Sequence, residues 1–105
     1  MTSHWYALRS KPRQEYSLYS YICSEDVECY YPRIQVNPVN PRAQKTKPYF
    51  PGYLFVQVNL KEEGNNRFRW TPNSLGLVRY GDEPAVVPDN LICGIQRVLE
   101  MINVI

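Results

Sequence analysis

The segment Tyr49-Phe50-Pro51-Gly52-Tyr53-Leu54-Phe55-Val56-Gln57-Val58-Asn59-Leu60 constrains this chain most. Pro51-Gly52 marks a turn, and the residues after it alternate with the period of a β-strand. Leu54, Val56, Val58 and Leu60 fall on one side and read as a core face, while Tyr53, Phe55, Gln57 and Asn59 fall on the other. That second side opens with two large aromatics and fades into amides. The pattern predicts an aromatic patch beside solvent, and exposed patches of this kind mark binding surfaces.

Composition bounds what such a strand can belong to. A chain of 105 residues, 44% hydrophobic and 21% charged, is expected to form one domain over residues 1–105 around a single core. No apolar run approaches the roughly 18 to 20 residues of a membrane helix. The N-terminus Met1-Thr2-Ser3-His4-Trp5 lacks the charged and apolar regions of a secretory signal, so the cytoplasm is the expected compartment and no membrane the expected partner. Twelve basic against ten acidic residues leave a net charge of +2, and a nucleic-acid role would require the basic groups to be clustered. Cys23, Cys29 and Cys93 match neither a zinc ribbon nor a redox pair and read as buried, inert thiols. The carboxylates Glu62, Glu63, Asp82, Glu83 and Asp89 have no histidine nearby and no metal-ligand spacing. The expectation is a non-enzyme with no catalytic residues, metal or cofactor.

Trp5 to Arg9 reads as a first strand, stopped at Ser10-Lys11-Pro12. Pro12 suits the first position of a helix running to about Ser24, with Leu18, Tyr19 and Ile22 inward and Arg13, Gln14, Ser17 and Ser20 outward. Val27, Cys29 and Tyr31 make a second strand that bends at Pro32 and resumes through Ile34 and Val36. The proline- and base-rich segment Asn37 to Pro48 reads as the tip of a hairpin leading to the Pro-Gly turn. Beyond the Tyr53 strand come a weakly periodic helix over Lys61 to Trp70, a strand over Leu75 to Tyr80, and a short edge strand at Ala85-Val86-Val87. A last helix opens at Pro88-Asp89-Asn90, with Leu91, Ile92, Ile95, Val98, Leu99 and Ile102 as one apolar stripe. This order predicts an α+β fold of the ferredoxin-like, split βαβ kind. Its antiparallel sheet would carry helices mainly on one face, with the C-terminal helix appended and the other face free.

Three uses of that free face are open from the residues. Gly52 to Val58 is close to the RNA-recognition signature in which strand aromatics stack on single-stranded bases, although Pro51 stands where a base is expected and Leu54 where glycine or alanine is expected. Tyr53 and Phe55 would alternatively anchor a protein partner. In the third case both rings are covered by the chain itself. A ligand domain with a deep pocket between sheet and helices is a further class.

Trp5-Tyr6, Lys11, Val27-x-Cys29, Pro32, Phe50-Pro51-Gly52-Tyr53-Leu54-Phe55-Val56 after a basic hairpin, and Val78-Arg79-Tyr80-Gly81-x-x-Pro84-Ala85-Val86-Val87-Pro88 together resemble the N-terminal (NGN) domain of the NusG family of transcription elongation factors. The likeness covers nearly the whole chain, and its continuations are closest to the RfaH-like antitermination paralogues. It implies a monomeric brace that binds the clamp helices of the largest catalytic subunit of RNA polymerase and suppresses pausing. Tyr53, Phe55, Tyr80 and Ile92 match the polymerase-binding patch. Lys11 and Gln14 match positions that touch the non-template DNA strand, and Arg13, Arg67 and Arg69 are grouped with them as DNA-binding residues. Gly64-Asn65-Asn66 replaces the histidine-threonine-threonine block of the RfaH-like proteins, and Pro72 stands where an arginine is expected. The chain ends at Ile105, before any Gly-rich barrel of the kind that forms the family's C-terminal KOW domain, and truncation is the expectation.

Overall fold

The computed structural model describes residues 3–35, 46–63 and 68–103. Along the chain the elements are β1 (His4–Ser10), α1 (Glu15–Ser24), β2 (Glu28–Tyr30), β3 (Arg33–Gln35), β4 (Thr46–Pro48), β5 (Tyr53–Val58), α2 (Leu60–Glu63), β6 (Ser74–Leu77), β7 (Arg79–Tyr80), β8 (Glu83–Pro84), β9 (Val86–Val87) and α3 (Asp89–Asn103). The main sheet runs β2-β5-β1-β6, with β9 paired to the first half of β1, and every pairing in it is antiparallel. This is the split βαβ order expected. β3 with β4 and β7 with β8 form separate two-stranded pairs.

Register decides which residues share a face. Tyr6 lies opposite Val56 and Leu8 opposite Leu54, while Trp5 lies opposite Gln57, Ala7 opposite Phe55 and Arg9 opposite Tyr53. Directly opposed residues project to the same side. On the first side Tyr6, Leu8, Leu54, Val56 and Val58 close over Leu18 and Ile22 of α1. Among the described residues that space is filled by side chains.

α1 is held at both ends by local chemistry. Glu15 in its first turn suits the positive end of the helix dipole. At the other end Asp26 is left-handed at φ 61°, the Asp26 amide donates to the Cys23 carbonyl, and the Val27 amide donates to the Ile22 carbonyl. This is a Schellman ending, and Val27 packs in the same buried cluster as Ile22. The helix begins three residues later than Pro12 suggests. Pro12 and Arg13 instead occupy a turn in which the Gln14 amide donates to the Lys11 carbonyl, with Arg13 left-handed at φ 63°.

The second side of the sheet is the main correction. α3 lies across it, and Ile92, Ile95 and Leu99 pack with Trp5 and Phe55. The two long helices therefore cover opposite faces of the sheet, and the face expected to be free is partly occupied. The apolar stripe of α3 divides accordingly: Ile92, Ile95 and Leu99 are buried, whereas Leu91, Val98 and Ile102 are exposed.

Three further expectations change. The helix after β5 is described over Leu60–Glu63, residues 64–67 lie outside the described residues, and Phe68 to Trp70 form a turn. The strand expected over Leu75 to Tyr80 breaks after Leu77, so that Arg79 and Tyr80 pair with β8 rather than with the main sheet. Cys23 and Cys93 are exposed and only Cys29 is half-buried, so the buried thiols expected from the sequence reduce to one. The tip of the Asn37 hairpin and the Gly64-Asn65-Asn66 segment lie outside the described residues, although pairing of Arg33 with Pro48 supplies the hairpin stem.

Candidate functional site

The Pro-Gly turn sets the direction of everything after it. Gly52 has φ 86° and the Tyr53 amide donates to the Phe50 carbonyl at 3.1 Å, the geometry of a type II turn with proline second and glycine third. A side chain at Gly52 would strain this conformation. The Gly52 amide donates to Oε2 of Glu15 at 3.0 Å, and Glu15 is itself buried. The first turn of α1 and the start of β5 are thus tied by a charge-assisted bond.

Tyr53 leaves this turn with its ring 40% exposed. It stands in a row across the sheet with Arg9 and Gly76, to which the strand pairings bring it. Gly76 adds no side chain, and a groove of about 720 Å³ opens there, lined by Tyr53, Arg9, Arg69 and Arg79 among others. Tyr80, next to Arg79, projects from the β7–β8 hairpin and is 88% exposed. That hairpin is closed in part by the Arg79 guanidinium, whose Nη1 donates to the Asp82 carbonyl at 3.0 Å. Three guanidinium groups beside an exposed phenol favour a partner that offers carboxylates or phosphates together with apolar surface.

Phe55 and Ile92 do not join this surface. Phe55 is 7% exposed and Ile92 is 2% exposed, because α3 seats Ile92, Ile95 and Leu99 over that part of the sheet. The Phe55 ring meets Tyr30 at 6.4 Å and the edge of Phe50 at 6.0 Å, and Phe50 in turn meets Tyr49 at 4.8 Å. Phe50 reaches the surface at the end of this chain of rings. The outward projection expected of Phe55 and Ile92 is therefore corrected. The same burial removes the RNA-recognition reading of the sheet, which requires the strand aromatics to lie open to bases.

Lys11, Arg13 and Gln14 are all exposed around the turn that precedes α1. The Lys11 amide donates to the Asn73 carbonyl at 2.9 Å, which fastens this turn to the segment before β6. Arg13 lines a second groove, of about 670 Å³, with Tyr16, Tyr31 and Pro51. Arg69 lies apart from these three, in the groove of Tyr53, with its guanidinium 5.1 Å from the centre of the Trp70 ring. Arg67 lies outside the described residues. Of the four that are described, Arg69 is thus separated from Lys11, Arg13 and Gln14.

Several residues that the sequence did not mark as outward-facing stand out. Trp70 is 80% exposed, and it shares a cleft with Tyr21 and Glu25 of the α1 end. Leu91, Val98, Met101 and Ile102 leave an apolar strip on the outer side of α3. Trp70 closes the weakly periodic stretch Lys61 to Trp70, in which nothing singled it out. Burial raises the phenols of Tyr6, Tyr30 and Tyr31 above their ordinary values and pushes the Cys29 thiol up to about 12, Cys23 adding to the latter. Among the described residues no cluster of histidine, cysteine or carboxylate side chains could hold a metal, and no helix is long and apolar enough to cross a membrane.

The family model described as NusG, transcription termination factor nusG, matches residues 3–96 of the chain. Among solved structures the chain is similar to one described as "Domain interaction in Thermotoga maritima NusG", with 23% sequence identity and a TM-score of 0.69. The alignment covers 96% of this chain and 59% of that one, so the chain spans less than two thirds of the relative's length. At that identity the likeness establishes the fold.

Proposed function

We propose, from the premise that this chain belongs to the NusG family of transcription factors, that it is an elongation and antitermination domain which docks on RNA polymerase through the surface around Tyr53 and Tyr80. The observation that carries this reading is the pairing of an exposed ring at Tyr53 with Arg9 and Arg79 in one groove, beside the fully projecting Tyr80. The partner is the clamp-helix coiled coil of the largest catalytic subunit. A coiled-coil tip offers apolar side chains flanked by charged ones; tyrosine rings bury area against the former with little entropy lost, and arginine pairs with the latter. Phe55 and Ile92 serve from below, holding β5 and α3 in the positions that present Tyr53 and the outer residues of α3.

The second contact is with the exposed non-template DNA strand. Lys11, Arg13 and Gln14 form its basic edge, and phosphates there add affinity that falls with salt. The RfaH-like specialisation belongs to this same proposal and rests on the motif likeness of Leu54-Phe55-Val56 and Val78-Arg79-Tyr80-Gly81. Reconstituted elongation complexes supply the test. Addition of the chain is expected to shorten pauses and raise read-through, and Tyr53→Ala should remove that effect. An unchanged pause lifetime with the unaltered chain present would refute the assignment.

A further inference from the structure

We infer that Cys23 and Cys29 form a redox pair, which a hydroperoxide closes into a disulfide across the corner between α1 and β2. The pair is independent of the polymerase and DNA contacts proposed above and uses none of their residues.

The spacing of the two cysteines, with five residues between them, is not that of a redox motif, and the fold supplies what the spacing does not. α1 ends at Ser24, Asp26 turns the chain back at φ 61°, and the Val27 amide donates to the Ile22 carbonyl, so β2 returns beside the helix it follows. Cys29 stands opposite Val56 and shares its face of the sheet, the one that α1 covers. Tyr19 and Cys23 are four residues apart on α1 and are therefore neighbours on one side of it. Tyr19 packs against the same buried cluster as Cys29, so the side of α1 that carries Cys23 adjoins the strand that carries Cys29. The Tyr19 hydroxyl and the Cys23 sulfur share a hydrogen bond, and burial first, then Cys23, raises the Tyr19 phenol above its ordinary value. Cys23 likewise adds to the effect of burial on the Cys29 thiol, as two sulfurs within reach of one another's charge must.

Exposure assigns the order of reaction. Cys23 is exposed and Cys29 half-buried, so an oxidant in solution meets Cys23 first. The Arg33 guanidinium lies 5.8 Å from the Tyr19 ring and 5.0 Å from the Tyr31 ring, which sets a positive charge beside the cluster in which the anion reacts. The Cys23 thiolate attacks one oxygen of the peroxide. An S–O bond forms, the O–O bond breaks, and the leaving hydroxide takes up the proton given up by Cys23 and departs as water, leaving a sulfenic acid. The Cys29 sulfur then attacks the Cys23 sulfur. An S–S bond forms, the S–O bond breaks, and the hydroxyl leaves with the Cys29 proton as a second water. Two electrons pass from the thiols to the peroxide. Because the sulfenic acid is uncharged, the first step removes the repulsion through which Cys23 holds the proton on Cys29, and so prepares the second. Cys93 is exposed as well, but α3 lies across the opposite face of the sheet, and Cys93 has no part in this pair. The disulfide makes covalent a corner that hydrogen bonds hold in the reduced chain.

The test treats the reduced chain with hydrogen peroxide at neutral pH, blocks the remaining thiols with N-ethylmaleimide, and reads intact mass and the map of cleaved peptides. The expected product has lost two hydrogens, carries the block on Cys93 alone, and yields a peptide pair joined between Cys23 and Cys29. Dithiothreitol should return it to three free thiols. In Cys29→Ser the reaction should stop at the sulfenic acid of Cys23, captured by dimedone, and in Cys23→Ser oxidation of Cys29 should slow by about tenfold or more. Cys93→Ser should close the disulfide as the unaltered chain does. Disulfides found only between chains or through Cys93 would overturn the pair, and so would oxidation of Cys23 to the sulfinic acid while Cys29 stays reduced. Both of these outcomes are read on the unaltered chain and do not depend on the folding of any variant.

Discussion

At the scale of single residues, Tyr53 and Phe55 share a strand face yet differ in fate because of what lies above each. α3 reaches Phe55 and stops short of Tyr53, so one ring stabilises the core and the other is available to a partner. Cys29 shows the same dependence on cover. Burial raises its thiol from 9.0 to about 12. A group whose folded-state pKa lies above its unfolded value contributes stability in full below about pH 9, and this is lost as pH rises toward about 12, because the unfolded chain releases its proton first. A thiol reagent at about pH 8 should therefore label Cys29 about tenfold or more slowly than the exposed Cys23 and Cys93, and stability in urea should fall across that alkaline window less steeply in Cys29→Ala. Equal labelling of all three cysteines would contradict the packing described. Alternation along β5 made the two faces legible in the sequence. Which of its aromatics would be covered was not, since the period of a strand says nothing of what a distant helix does.

At the scale of elements, α3 is the piece whose placement decides the site. Its apolar residues Leu91, Ile92, Ile95, Val98, Leu99 and Ile102 span a wider arc than one sheet contact can cover, and only the seam Ile92-Ile95-Leu99 is buried. The stripe was legible in the sequence as a single apolar face, and its division into a buried seam and an exposed strip was not, because it depends on how far the sheet reaches under the helix. Removing the ring beneath the seam should be felt by the whole fold. Phe55→Ala is expected to cost about 3 to 5 kcal/mol, whereas Tyr53→Ala should stay within about 0.5 kcal/mol, as exposed positions usually do. Urea denaturation of the two variants separates these values, and comparable losses for both would show that Tyr53 belongs to the core. The order of strands, the Pro-Gly turn and the first helix were all readable from period and punctuation. The break after Leu77 was not, because Val78 and Tyr80 are as β-prone as the strand before them, and only tertiary pairing sends Arg79 and Tyr80 into a hairpin.

At the scale of the molecule, the two proposed surfaces are linked by a single part-buried bond. The Glu15 carboxylate, fixed to the Gly52 amide, couples the turn that carries Lys11 and Arg13 to the strand that carries Tyr53. On the proposed reading, the domain would hold a protein with one side and a nucleic-acid strand with another. The proposed bracing role asks for no chemistry, since a brace acts by keeping two partners in fixed relation. The family likeness in the sequence pointed to the polymerase patch as a group of four residues, and burial within the fold reduces its outward members to Tyr53 and Tyr80. The most direct measurement is the dissociation constant between this chain and the isolated clamp-helix coiled coil of RNA polymerase, taken for the unaltered sequence and for Tyr53→Ala combined with Tyr80→Ala. Loss of one aromatic anchor typically costs about 2 kcal/mol, so weakening by about 30-fold or more is predicted with the unfolding midpoint unchanged. Equal affinity of the two proteins for the coiled coil would contradict the account.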